Sequence, residues 1–214
     1  MEGKKNIITR YSTKFLFIIF AVGIVGHINP GTRDIMLLLT PFTLFITMSV
    51  VFYSLFCESN RKLILWFLIT YLFTFITEVI GVKTGIVFGN YLYGSTLGIK
   101  VLSVPLIIGL NWVFVILGAI TFSQKVTSDK NLIALITALI AVAFDMVLEP
   151  VAIKLDYWNW QNGKIPLQNY LAWFAISFIV SWFFNRMNLH IKTDLPKIYL
   201  IVQTIFFVSL LIFI

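Results

Sequence analysis

Three acids interrupt apolar sequence: Glu78 in FITEVIGV, and Asp145 and Glu149 in FDMVLEPVA. The 214 residues hold only 9 Asp and Glu, so these three stand out. An ionisable side chain within a membrane-spanning helix is unfavourable, is usually turned to the bundle interior, and marks a functional site by default. The chemistry open to such acids is proton transfer. A carboxyl group held protonated by apolar surroundings can donate a proton. A neighbouring carboxylate that stays ionised can hold water and act as base. Two close acids resist simultaneous ionisation and so divide these roles. Asp145 and Glu149 are four residues apart and share one helix face. Ala134, Ala138 and Ala141 continue that face and suit close helix packing. Asp145, deeper in its run, is the expected proton donor, with Glu149 and Glu78 placing water or acting as base. The bland alternative is two solvated helix ends, with Glu149 paired to Lys154 and Glu78 to Lys83.

Each acid is followed by an aromatic loop. GIVFGNYLYGSTLG (85–98) spaces glycines and aromatics too regularly for a solvated loop and predicts a packed, tightly turned or re-entrant segment. DYWNW (156–160) carries Tyr157, Trp158 and Trp160, and Tyr170 follows. An aromatic belt at the membrane interface would use the same residues. The functional alternative is a pocket wall for a long apolar ligand, with π-faces toward a developing cation. On that reading the substrate-binding set is Phe88, Tyr91, Tyr93, Asn111, Trp112, Trp158, Trp160, Asn169 and Trp173. Asn111 lies near mid-membrane, where an amide commonly bonds across helices.

These residues need elements to position them, and composition says which. The chain is 59% hydrophobic and 12% charged, against about 45–50% and about 25% in soluble domains. Its mean hydropathy is +0.95. This predicts an all-α integral membrane bundle forming one domain over 1–214. Apolar runs at 15–28, 35–57, 63–82, 101–122, 131–149, 170–185 and 198–214 predict about seven transmembrane helices. The first is read as a retained short helix, because GHINPG offers no clear cleavage site for a signal peptide. Pro41 is expected to kink the second helix, Pro105 to sit in the first turn of the fourth, and Pro150 to end the fifth near Glu149. Eleven Lys and Arg (Lys4, Lys5, Arg10, Lys14, Arg61, Lys62, Lys125, Lys130, Arg186, Lys192, Lys197) fall in alternate segments beginning with the N-terminal one. Five (Arg33, Lys83, Lys100, Lys154, Lys164) fall in the others. The positive-inside rule then puts the N-terminus inside and the C-terminus outside, with all three acids near the outer face. The net charge of +7 reflects this topology and contact with anionic lipid rather than nucleic acid. Cys57 is the only cysteine, which excludes an intrachain disulfide, and His27 and His190 stand alone at helix ends. No metal-ligand spacing, phosphate-binding loop or nucleophile motif appears.

Glu78, the block 84–112, FDMVLEPVA (144–152), YWNW (157–160) and IPLQNYLAWF (165–174), in this order and spacing, resemble the carotenoid biosynthesis membrane family. That family includes the CruF-type carotenoid 1',2'-hydratases and bisanhydrobacterioruberin hydratase. The resemblance implies addition of water across the terminal double bond of an acyclic carotenoid end, giving a tertiary alcohol. It implies a carotenoid substrate, membrane lipid as surroundings, and residence in the cytoplasmic membrane of a prokaryote. Such chemistry asks for a strong acid, a water and a base, and for no cofactor or metal. A carotenoid cyclase begins with the same protonation but must exclude water. A non-enzymatic carotenoid-binding protein is the remaining alternative; a retinal Schiff base would need a lysine that 198–214 lacks.

Overall fold

The computed structural model describes residues 2–56, 61–161 and 163–214; Cys57 lies outside them. Seven helices form: α1 (Glu2–Ile28), α2 (Pro30–Phe56), α3 (Arg61–Thr84), α4 (Leu106–Val126), α5 (Lys130–Lys154), α6 (Leu167–Arg186) and α7 (Leu195–Phe213). All seven are long and apolar enough to cross a membrane, so the chain is an all-α integral membrane protein.

Local chemistry sets the helix boundaries. Asp129 caps α5, its carboxylate accepting from the amides of Asn131 (3.0 Å) and Leu132 (2.7 Å). Proline opens α2 and sits in the first turn of α7, where its missing N–H leaves no bond unmade. Pro166 precedes α6 in extended conformation. The central helix is α4, whose spanning window is 83% buried against 17% and 22% for α1 and α2. It packs on α3, α5 and α7. Gly118 lets α7 approach, since a Cβ there would lie 2.7 Å from the Pro196 carbonyl oxygen. α5 lies along α6. Ala134, Ala138 and Ala141 of α5 and Ser177 and Ser181 of α6 are all fully buried, small side chains that allow close approach. Leu38, Phe42, Leu72 and Ile212 are among the large apolar side chains left on the outside, where they meet lipid.

Three helices differ from expectation. α1 is not short: it runs 27 residues, Glu2–Ile28, with Thr9–Ile28 apolar enough to span. α5 does not stop at Glu149 but runs through Pro150 to Lys154. Proline removes one backbone bond, to the carbonyl four residues back, but does not forbid a helix whose neighbours hold it in the apolar phase. Asp145 and Glu149 therefore sit further inside their helix than a terminus at Pro150 would allow. The fourth helix starts at Leu106, not at 101. The preceding residues make a two-residue hairpin, β2 (Lys100–Val101) with β3 (Val104–Pro105), whose turn residues Leu102 and Ser103 both have positive φ, 52° and 71°. That is the type I′ geometry that matches strand twist. Pro105 thus caps α4 instead of lying within its first turn. Pro41 does lie inside α2, with Gly98 of the α3–α4 connection against its ring.

Spans alternate in direction, so the α3–α4 and α4–α5 connections lie on opposite faces. Reporter fusions at Gly94 and Lys125 are expected to read opposite sides of the membrane; a common side for both would break the seven-span arrangement.

Candidate active site

The connection after α3 and the one after α5 pair with each other. β1 (Tyr91–Tyr93) runs antiparallel to β4 (Trp158–Trp160), with Tyr91 opposite Trp160 and Tyr93 opposite Trp158. The ladder continues beyond both ends, through Gln161 N–H to the Asn90 carbonyl (2.9 Å) and Gly94 N–H to the Tyr157 carbonyl (3.0 Å). Gly94 is required here, since a Cβ would lie 2.1 Å from the Asp156 carbonyl oxygen. Side chains alternate across a strand. The four rings therefore fall on one face, with centroids 5.0 Å apart for Tyr91–Trp160 and 5.9 Å for Tyr93–Trp158, while Leu92 and Asn159 point away. The result is a small aromatic lid over the ends of α3, α4, α5 and α6.

The lid closes onto the acids through hydrogen bonds. Glu78 Oε2 accepts from the hydroxyls of Tyr91 and of Tyr93, the latter at 2.8 Å. Glu78 Oε1 accepts from Trp112 Nε1 of α4 at 2.7 Å. Burial, and next the Glu78 carboxylate beside them, push the Tyr91 and Tyr93 phenols well above their ordinary range, so both remain protonated donors. Glu149 Oε2 accepts from the indoles of Trp158 (2.9 Å) and Trp160 (2.8 Å). On α6, Asn169 Nδ2 donates to Asp145 Oδ2 at 2.6 Å and to Glu149 Oε1 at 3.2 Å. One amide thus bridges the two acids of α5. Glu78, Asp145 and Glu149 are all buried, at 5%, 0% and 2% exposure. Neither Glu78 with Lys83 nor Glu149 with Lys154 forms an ion pair among the described residues, so the solvated-end alternative does not describe them. The one carboxyl oxygen of the three acids that lacks a protein partner is Asp145 Oδ1.

Glu78 and Glu149 line one cavity of about 30 Å³, together with Phe88, Tyr91, Tyr93, Asn111, Trp112, Trp158, Trp160, Asn169 and Trp173. Every residue expected to contact substrate is on this wall. Trp112 and Trp173 stack at 3.7 Å between centroids and 18° between planes. Asp145 is not on the wall; it sits behind Asn169, connected to the cavity through the amide and through Glu149. Asn111 bonds across helices as its position suggests, its Oδ1 accepting from Gln203 Nε2 of α7 at 3.0 Å.

A second, apolar chamber of about 220 Å³ adjoins the first. The two share Ile108, Asn111, Leu148 and Trp158. Its wall comes from α1, α2, α4 and α7, including Phe20, Leu44, Phe206 and Phe207, with His27, Thr40, Tyr157 and Gln203 as polar points. Sequence reading did not find this chamber. Most of its residues are ordinary members of apolar runs; Asn111, Tyr157, Trp158 and His27, each noted in the sequence, and the amide Gln203 also lie on its wall, but nothing in the sequence marks the apolar space they enclose. Taken together, the geometry presents two acids on a small cavity of mostly aromatic walls, adjoining a larger apolar space. That arrangement suits proton transfer to and from the tip of an apolar molecule.

Comparison with known proteins agrees in kind. The family model described as carotenoid biosynthesis protein matches residues 38–214, which takes in α3 to α7, the lid and most of α2. No curated protein matches the chain, and no solved structure does.

Proposed function

The chain belongs to the carotenoid biosynthesis protein family, and from that premise we propose that it is a carotenoid hydratase, adding water to the terminal double bond of an acyclic carotenoid end. The observation that carries this reading is the shared wall of Glu78 and Glu149 beside the apolar chamber. The chamber takes the terminal isoprene units, and the smaller cavity takes a water. About 30 Å³ exceeds the roughly 10–15 Å³ that one water needs.

The step balances as follows. Asp145 and Glu149, bridged by Asn169, hold one proton between them, since two close carboxylates disfavour a double negative charge. Glu149, on the cavity wall, delivers that proton to the inner, CH carbon of the terminal alkene, and the π electrons form the new C–H bond. The outer carbon, which bears the two methyl groups, becomes a tertiary cation where chamber and cavity meet, at the ring of Trp158, with Trp112, Trp160 and Tyr91 on the cavity side. The oxygen of water attacks it, and Glu78 takes a proton from that water. Return of the proton from Glu78 to the Asp145–Glu149 pair completes the cycle, with water consumed and no electron transferred. Asp145, first expected to be the donor itself, becomes in this reading the proton's second seat. With the N-terminus inside, as the lysine and arginine distribution favours, the acids work near the outer face.

The test is expression in cells that accumulate lycopene or another acyclic carotenoid, with pigments analysed by mass. A product heavier by one water is expected. A product of unchanged mass with a ring would mean cyclase chemistry, and no new product from any acyclic end would reject the proposal.

A further inference from the structure

The opposite end of the bundle carries a second polar cavity, of about 1170 Å³, unrelated to the acids. It lies where α4 ends, α5 begins and α6 turns into α7. Its wall carries the lysines Lys125, Lys130 and Lys192 and the amides of Gln124, Asn185 and Asn188, beside hydroxyls and the apolar Ile133, Leu189 and Ile191. Asp194 is the one carboxylate on that wall among the described residues, and it is already engaged, 2.5 Å from Lys125 Nζ and 3.6 Å from Lys197 Nζ. The hydrogen bond from Lys125 holds the Asp194 carboxyl below its usual range, so Asp194 stays ionised and neutralises only one of these two lysines. The nearby Asp129 is spent on capping α5. Lys130 Nζ donates to Asn188 Oδ1 at 2.6 Å, a neutral partner that orients the ammonium without cancelling its charge. Asn185, buried at 4%, fixes this corner by donating to the Lys130 carbonyl at 2.9 Å. Lys192 has neither a hydrogen bond nor an ion pair among the described residues.

On the wall itself three ammonium groups (Lys125, Lys130, Lys192) thus meet one carboxylate, Asp194, which is already shared between Lys125 and the neighbouring Lys197, with the side chains of Gln124, Asn185 and Asn188 between them. An excess of positive charge in a cleft between helices concentrates anions. Lysines serve as point-charge partners for phosphate. The cleft opens at the end of the helices, at headgroup level, and basic clefts between transmembrane helices hold anionic headgroups. We propose that this cavity binds a phosphate-bearing anion, with the headgroup of an anionic phospholipid as its occupant.

The experiment uses the full chain in neutral detergent, with apparent unfolding temperature measured during titration of phosphatidylglycerol or of phosphatidylcholine with the same acyl chains. Phosphatidylglycerol is expected to raise the unfolding temperature and phosphatidylcholine to leave it unchanged, because a ligand of the folded state stabilises by mass action. In the Lys130→Gln/Lys192→Gln double variant, the lipid concentration giving half the shift should rise by about tenfold or more, as expected from loss of two contacts to a charged group. Lys192→Gln alone, exposed and without a partner to lose, should weaken binding without affecting the fold. Inorganic phosphate is the second arm: a shift at millimolar phosphate that the same variants weaken would assign the site to free anion as well. Equal shifts with both lipids, or an undiminished phosphatidylglycerol shift in both variants, would overturn the proposal.

Discussion

Glu149→Gln is expected to lower hydration of an acyclic carotenoid end by about 10²–10⁴-fold, the usual worth of a positioned general acid, while the protein stays folded in the membrane. Glutamine keeps the shape. Its carbonyl can still accept from Trp158 and Trp160, which now both donate to Oε2. Its amide nitrogen would then face Asn169 Nδ2, another donor, so the 3.2 Å bond is lost while the 2.6 Å bond from Asn169 to Asp145 remains. Loss of one hydrogen bond costs about 0.5–1.5 kcal/mol, small against the rate effect. Asp145→Asn should reduce the rate to a similar degree by another route. It leaves Asn169 an acceptor but removes the second seat of the shared proton. Residues that act as a unit are non-additive. The double variant Asp145→Asn/Glu149→Gln should therefore be little slower than either single one. Near-normal hydration by both single variants, at equal amounts in membranes, would rule out acid–base catalysis by this pair. Losses that multiply in the double variant would mean that the two acids act separately.

The parts of this site differ in how openly the sequence displays them. Glu78, Asp145 and Glu149 are legible because a carboxyl group in an apolar run is unfavourable unless something answers it. Four-residue spacing was enough to put Asp145 and Glu149 on one face. It could not tell that Asn169, from the next helix, would stand between Asp145 and the cavity, because periodicity carries direction and not neighbours. The lid was half visible. Its glycine and aromatic spacing announced a packed segment, but the pairing of β1 with β4 joins three-residue strands far apart in sequence, too short to leave an alternation signal of their own. Helix ends were misread where proline was treated as a stop. At Pro150 the surrounding helices override it, and at 101–105 a run of apolar residues forms a hairpin because apolarity alone does not separate strand from helix. The apolar chamber was invisible, since a cavity between four helices is a property of their packing.

Glu78→Gln should cost hydration about 10²–10⁴-fold as well, but its signature should differ from that of Glu149→Gln. Glu78 is held by three donors, Tyr91, Tyr93 and Trp112. Glutamine can keep the indole on its carbonyl and turn its amide toward the two tyrosines, whose hydroxyl oxygens can accept. The lid therefore stays closed, and what disappears is the group that takes a proton from the attacking water. Protonation of the alkene by Glu149 is untouched. The cation then reverts by losing a proton more often than it is captured. In membranes suspended in heavy water, Glu78→Gln should return starting carotenoid that carries deuterium at its end group, with little alcohol. Glu149→Gln should give neither deuterated starting material nor alcohol. Tyr93→Phe, which removes one of the three donors, should fall between wild type and Glu78→Gln, with a loss of about tenfold, in keeping with one hydrogen bond to a charged group. If Glu78→Gln suppressed deuterium exchange as fully as it suppressed hydration, Glu78 would belong to the protonation step and the division of roles across the cavity would be wrong. Abundant exchange without hydration would instead separate the two half-reactions, with α5 supplying the proton and α3 receiving it.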